Sequence, residues 1–162
     1  MTRIGVLSDT HLPGPTPELQ RQVEACFAGI GIILHAGDLV DLAVLEVFRD
    51  KEVHAVCGNM CHAAAARALP ARKEIRVGGF TIGLIHGLGP GYDFAGRLPD
   101  VFPEADCIVY GHTHQPAIER VGHILLVNPG SFLPTGRCGA RGTYAVIEVG
   151  ETLSAAIHQV KP

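Results

Sequence analysis

Five apolar runs in this chain of 162 residues each stop at a turn that carries an aspartate, asparagine or histidine. Ile4–Leu7 leads into Ser8-Asp9-Thr10-His11, Ile32–His35 into Gly37-Asp38, and Cys107–Tyr110 into Gly111-His112-Thr113-His114. Val53–Cys57 leads into Gly58-Asn59, and Phe80–Ile85 into His86-Gly87. Short apolar runs closed by turn residues read as buried β-strands. Ligand-bearing turns at the ends of several strands constrain the fold strongly, because loops of an α/β sheet converge beyond the carboxyl ends of its strands.

The segments between these runs set the architecture. A helix is predicted near Pro17–Ala28, with Thr16 as its N-cap and Pro17 at its first turn. A second helix is predicted near Leu42–Asp50, capped by Asp41. Apolar strands separated by helices of this length read as βαβ units and a largely parallel sheet. After Pro70 the pattern changes. Lys73–Val77 and Phe80–Ile85 flank Gly78-Gly79, a two-residue hairpin signal. A short helix is expected within Asp93–Leu98, and the last third reads as strands at Ala117–Val121, His123–Val127, Thr143–Val149 and Thr152–Gln159. The expected fold is one α/β domain spanning residues 1–162: a four-layer α/β/β/α sandwich with two mixed β-sheets face to face, parallel early and antiparallel late.

Composition narrows the function. A chain of this length buries roughly 70% of its unfolded surface and needs no staple. A net charge of −3 argues against gripping a nucleic-acid backbone, which takes a basic face. No apolar run approaches a membrane span, and Met1-Thr2-Arg3 precedes a strand rather than a signal-peptide core, so a cytoplasmic location is expected. Five cysteines without a CxxC pair fit unpaired thiols better than a disulfide framework, Cys57 and Cys61 lining the Gly58-Asn59 turn among them. An exposed apolar strand would allow copies of the chain to pair as a homo-oligomer.

The turns supply Asp9, His11, Asp38, Asn59, His86, His112 and His114. Carboxylate, amide and imidazole without thiolate suit Mn²⁺, Fe or Zn²⁺ rather than Ca²⁺ or a structural zinc. Seven ligands exceed one tetrahedral ion but suffice for two ions of higher coordination if a carboxylate bridges, and Asp38 is the natural bridge. Two ions about 3.5–4 Å apart form the clamp used for in-line displacement at phosphorus. Taken singly, each residue has a plain structural reading: Asp9 and Asp38 as caps, Asn59 as a left-handed turn residue. His35 reads as a strand histidine rather than a ligand, and Tyr92 and Phe94 either wall a pocket or pack in the core.

The ordered set DxH, GD, GN, HG and GHxH resembles that of calcineurin-like metallophosphoesterases, especially their small bacterial and archaeal phosphodiesterase branch. Asn128-Pro129-Gly130-Ser131 extends the resemblance to nearly the whole chain. It implies a phosphoesterase using two divalent metal ions, Mn²⁺ foremost, with Fe, Ni²⁺, Co²⁺ and Zn²⁺ as alternatives, on a small phosphate-ester substrate. By position, Asp9, His11, Asp38 and His114 would hold one ion, and Asp38, Asn59, His86 and His112 the other, with a bridging water or hydroxide as nucleophile. Better-known members follow the metal-binding Asn with a His that serves the leaving group or the phosphate. Here Met60, Cys61 and His62 follow Asn59. The catalytic candidates are thus Asn59, His112 and His62, the last as a substitute acid. The fold is also used by a non-catalytic relative, a subunit of the retromer coat, so a protein-interaction scaffold is the competing function and a phosphomonoesterase a third.

Overall fold

Alternate residues of β1 (Thr2–Leu7) enter two different cores: Ile4 and Val6 face one, Leu7 the other. That period-two split repeats through the strands and defines the layers. The computed structural model describes residues 1–134 and 141–162; Arg137 and Cys138 lie outside them.

One sheet has the order β10-β9-β1-β2-β3 and the other β4-β5-β6-β8-β7. In the first, β1, β2 (Ile32–His35) and β3 (Glu52–Ala55) run parallel, and β9 (Thr143–Val149) pairs antiparallel with β1 and with β10 (Leu153–Gln159). In the second, β5 (Phe80–Ile85), β6 (Cys107–Val109) and β8 (Ile124–Asn128) are parallel. β4 (Arg72–Val77) and β7 (Ala117–Val121) pair antiparallel at its edges. The chain's late part is therefore less antiparallel than its sequence indicates, because β8 inserts between β6 and β7 instead of extending the sheet beyond β7. Gly78 and Gly79, at φ +58° and +87°, form the β4–β5 turn as expected.

Between the sheets lies a core of Ile4, Val6, Leu34, Ile82, Leu84, Cys107, Val109, Leu125, Val127 and Ile147, among others. On the far face of the first sheet, α1 (Pro17–Cys26) buries Leu19 and Val23, and the following turn buries Phe27, against Leu7, Ile33 and Val146. Thr16 caps α1 through its side chain, which accepts the Leu19 amide. Phe27 sits among Phe48, Phe132 and Tyr144 at centroid separations of 6.3, 6.0 and 5.1 Å, and truncating such a ring costs about 3–5 kcal/mol. On the far face of the second sheet, Phe94, Leu98 and Phe102 cover Ile108, Tyr110 and Leu126. The result is the expected four-layer α/β/β/α sandwich.

Local departures are small. Leu42–Phe48 is a 3-10 segment rather than an α-helix, with Asp41 accepting the Ala43 amide at its start. The helix expected within Asp93–Leu98 is a 3-10 turn at Ala95–Arg97 running into α3 (Leu98–Val101), where Pro99 occupies the first turn. An additional helix, α2 (Ala63–Ala68), forms from an alanine-rich stretch with no amphipathic stripe to signal it. No helix among the described residues is long and apolar enough to cross a membrane.

Candidate metal centre

The parallel strands β1, β2, β3, β5 and β6 deliver their following turns to one edge shared by both sheets. Six non-glycine residues among those described have a left-handed backbone: Asp9, His11, Asp38, Val40, His112 and His114, with φ between 46° and 72°. Five of these six are residues that the turns offer as ligands. Asp and His tolerate this region better than most residues, yet each instance costs on the order of 1–3 kcal/mol. The surroundings hold them there. The Asp9 amide donates to the Gly37 carbonyl (2.9 Å), the His11 amide to that of Asp38 (3.0 Å), and the Gly111 amide to that of His86 (3.0 Å). Glycine is required where backbones crowd the cluster. A Cβ on Gly58 would run into the Asp38 carboxylate and amide, and one on Gly37, itself at φ +97°, would meet the His86 ring.

Side chains from opposite sheets meet in the gap. His114 Nε2 lies 3.2 Å from Asp9 Oδ1 and 3.4 Å from His11 Nε2, and His11 Nε2 lies 3.6 Å from Asp9 Oδ1. His86 Nε2 is 2.9 Å from Asn59 Oδ1, 3.3 Å from Asp38 Oδ2 and 4.0 Å from Asp9 Oδ1. His112 Nδ1 is 3.2 Å from Asn59 Oδ1. Two groups emerge, Asp9–His11–His114 and Asp9–Asp38–His86, each with ligand atoms within 4.8 Å of one another. The carboxylate common to both is Asp9. Asp38 turns one oxygen to His86 and accepts the Met60 amide with the other at 2.7 Å.

The donor set fits divalent cations. His86 Nδ1 donates to the Ala36 carbonyl (2.7 Å), which leaves Nε2 its lone pair, facing three side-chain oxygens. His112 Nε2 is buried without a hydrogen-bond partner among the described residues. Electron-pair donors that face one another this closely require protons or cations between them. Protonation follows the same logic. Burial would raise the Asp9 carboxyl, but hydrogen bonds from His11 and His114, the charge of His86 and the Ser8 hydroxyl (2.6 Å) hold it far below the usual carboxylate range. Burial likewise opposes ionisation of Asp38, and His86 and the Met60 amide outweigh it. Burial would lower His86, yet Asp38, Asp9 and the Ala36 carbonyl raise it. His114 is raised by its bond to Asp9.

His35 stands behind the cluster. It is fully buried; its Nδ1 accepts the Gly37 amide (3.2 Å) and its Nε2 bonds the Thr10 hydroxyl (3.1 Å). Both ring nitrogens are thus committed, and its pKa is pushed down to about 4, chiefly by burial. His62 is not brought to the cluster: it caps α2 from an exposed position without a side-chain hydrogen bond. Phe94 packs in the core, whereas Tyr92 is 69% exposed with its ring on that of His112. The Sγ atoms of Cys57 and Cys61, expected as separate thiols, are brought together across the Gly58-Asn59 turn, with Cα atoms 6.0 Å apart; Cys26 and Cys107 remain free among the described residues. The Asn128-Pro129-Gly130-Ser131 turn, noted in the sequence only as part of the resemblance, supports the cluster from behind. Asn128 donates to the Gly111 carbonyl (3.1 Å) and the Thr113 hydroxyl (2.9 Å), locking the Gly111–His114 turn, and Ser131 donates to the Asp9 carbonyl (3.1 Å). An asparagine ending a strand just before Pro-Gly was the available signal.

Known proteins resemble the chain in sequence and in fold. Residues 2–152 match the family model of the calcineurin-like phosphoesterase superfamily domain. A probable metallophosphoesterase of Methanocaldococcus jannaschii is 37% identical over 132 residues, covering 79% of this chain and 67% of that protein. A phosphodiesterase of the same archaeon is 22% identical over 142 residues, covering 79% and 82% of the two chains. A solved structure of Vps29 complexed with zinc, from Entamoeba histolytica, is alike in fold, with a TM-score of 0.74 at 24% identity over 98% of each chain. With its sheet order, its strand-end cluster and a family match over nearly its full length, the chain belongs to the calcineurin-like phosphoesterase superfamily.

Proposed function

We propose that the chain is a phosphodiesterase acting with two divalent cations held by Asp9, His11, Asp38, Asn59, His86, His112 and His114. One observation carries the reading: seven oxygen and imidazole donors from five strand ends meet at one edge, with five of their backbones left-handed. The name of the archaeal relative, a phosphodiesterase, supports the diester reading over the monoester one. Mn²⁺ is the first assignment, and Fe, Ni²⁺, Co²⁺ or Zn²⁺ share the donor preference. Cations bound there lower the pKa of water and offset the charge that builds on the phosphoryl oxygens.

The chain's own residues prepare that chemistry. Asp9 and Asp38 stay ionised and supply negative charge, while the Ala36 carbonyl holds His86 with Nε2 toward the gap. Asn59 links His86 and His112, joining the turns after β3, β5 and β6. The Met60 side chain has no acidic proton to give, and His62 is exposed, so the leaving group departs without help from either. Aryl and nucleotide esters are therefore the better substrates. In this reading the protein acts in the cytoplasm on small phosphate esters.

The test is turnover of bis(4-nitrophenyl) phosphate by protein loaded with Mn²⁺, Ni²⁺, Co²⁺ or Zn²⁺, with metal content measured by mass spectrometry. Turnover with about two ions per chain is expected. Bound metal without turnover would overturn catalysis and leave an interaction scaffold, the reading that the Vps29 fold likeness favours.

A further inference from the structure

Among the described residues, five large apolar side chains are exposed: Met1, Met60, Tyr92, Ile118 and Val121. Met1 is terminal, and Ile118 and Val121 lie on the edge strand β7. The other two border the cluster. Met60 follows Asn59 directly and is 52% exposed, with its amide held by Asp38 (2.7 Å). Tyr92 lies on His112, with ring centroids 5.1 Å apart and planes 13° from parallel. The contact between Asn59 and His112 (3.2 Å) ties the two loops together.

Resting on the phosphodiesterase reading, we infer that Tyr92 forms a stacking platform for a nucleobase on the retained side of the substrate, and that the preferred substrates are nucleoside phosphodiesters. One face of the Tyr92 phenol is occupied by the imidazole, and the side chain is still mostly open to solvent beside the cluster. An aromatic residue left exposed beside a polar centre offers a π-face to any base, and a methionine supplies an adaptable apolar wall. No lysine or arginine takes part in the polar contacts recorded for the cluster among the described residues. Grip on the organic part of the substrate then falls to stacking rather than to ion pairs. Tyr92 is a specificity residue in this scheme, and the cleavage chemistry stays with the cluster.

Two 4-nitrophenyl esters with the same scissile bond isolate the effect: thymidine 5′-(4-nitrophenyl phosphate) and methyl 4-nitrophenyl phosphate. Wild-type protein should show a KM about tenfold lower for the nucleoside ester, the scale of a base stacked on an aromatic side chain. Tyr92→Ala should collapse that ratio, and Tyr92→Phe should preserve it. If Tyr92 only shielded His112, its loss would affect both esters equally and leave the ratio intact, which would overturn the proposal. A second readout does not need turnover. Saturation transfer in NMR from the zinc-loaded protein to the base protons of AMP should be strong in wild type and Tyr92→Phe and lost in Tyr92→Ala. Absence of transfer in wild type would overturn the stacking platform even if both esters are cleaved. Transfer without cleavage would uphold the platform and reject the hydrolase.

Discussion

His86 donates through Nδ1 to the Ala36 carbonyl at 2.7 Å, so the strand-end backbone of one sheet orients an imidazole from the other. The opposite ring nitrogen reaches Asn59, Asp38 and Asp9 at 2.9, 3.3 and 4.0 Å. Replacing His86 by Ala should therefore remove a donor common to both sheets. Metal content should drop, and activity should fall by more than the 10–100-fold typical of losing an outer hydrogen-bond partner. Mass spectrometry and 4-nitrophenol release would measure the two losses together. Full metal content in the variant would show that His86 is not a ligand.

Metal affinity should rise with pH. In the metal-free protein His86 and His114 are raised above the ordinary histidine value of about 6.5, because ionised Asp38 and Asp9 stabilise their protonated forms. A cation must displace those protons, so binding releases protons and weakens as pH falls through the raised values. Isothermal titration at pH 6, 7 and 8, in buffers of different ionisation enthalpy, should find tighter binding and fewer released protons at the highest pH. Affinity independent of pH would place the ions elsewhere.

His35 gives folding stability a pH dependence of its own. Burial is the main cause that depresses its pKa to about 4, against the attraction of Asp9 and Asp38. Its unfolded counterpart takes a proton at about 6.5, so between these values the unfolded state binds more protons and folding weakens as pH falls. The full contribution, on the order of 3 kcal/mol, is present above pH 6.5 and lost progressively toward pH 4. Metal-free wild type should thus lose more stability between pH 7 and pH 5 than His35→Gln, by about 2 kcal/mol in urea titrations. Parallel pH profiles would show that His35 is protonated in the folded state.

The fold was legible where its signals are local. Apolar runs that end in Asp, Asn, His or Gly announce strands and their turns, and Gly78-Gly79 announces a hairpin, because these depend on a residue's own backbone preferences. Pairing across sheets is not local. Nothing in Ile124–Asn128 says that it joins β6 in parallel ahead of β7, since that choice is made by which apolar faces meet in the core. The same limit applies at the cluster. The turns name Asp9, Asp38 and His86, but only the approach of one sheet to the other makes Asp9 the carboxylate common to both groups. Cys57 and Cys61, four apart, read as separate thiols until the turn between them brings their sulfurs together. Tyr92 and Phe94 are equivalent as sequence, and the loop after His86 buries one and exposes the other.

In the proposed reading, Met60 sets which esters the centre cleaves. Its amide bond to Asp38 fixes the backbone beside the cluster, while its half-exposed side chain leaves room for a histidine. A thioether offers no proton, so 4-nitrophenyl diesters, whose leaving group departs as a stable anion, should be hydrolysed far faster than dialkyl diesters. Met60→His should supply the missing acid. General acid assistance is typically worth about 10²–10⁴-fold, and an unrefined imidazole should reach the lower end on an alkyl leaving group with little gain on 4-nitrophenolate. The alkyl reaction should also acquire a decline at high pH as the new imidazole deprotonates, around pH 6.5 for an unperturbed histidine. Rates measured on bis(4-nitrophenyl) phosphate and on dimethyl phosphate, for both proteins across pH, separate these effects. Equal wild-type rates on the two esters would mean that another group already delivers the proton. An unchanged ratio in Met60→His would mean that position 60 does not face the leaving group.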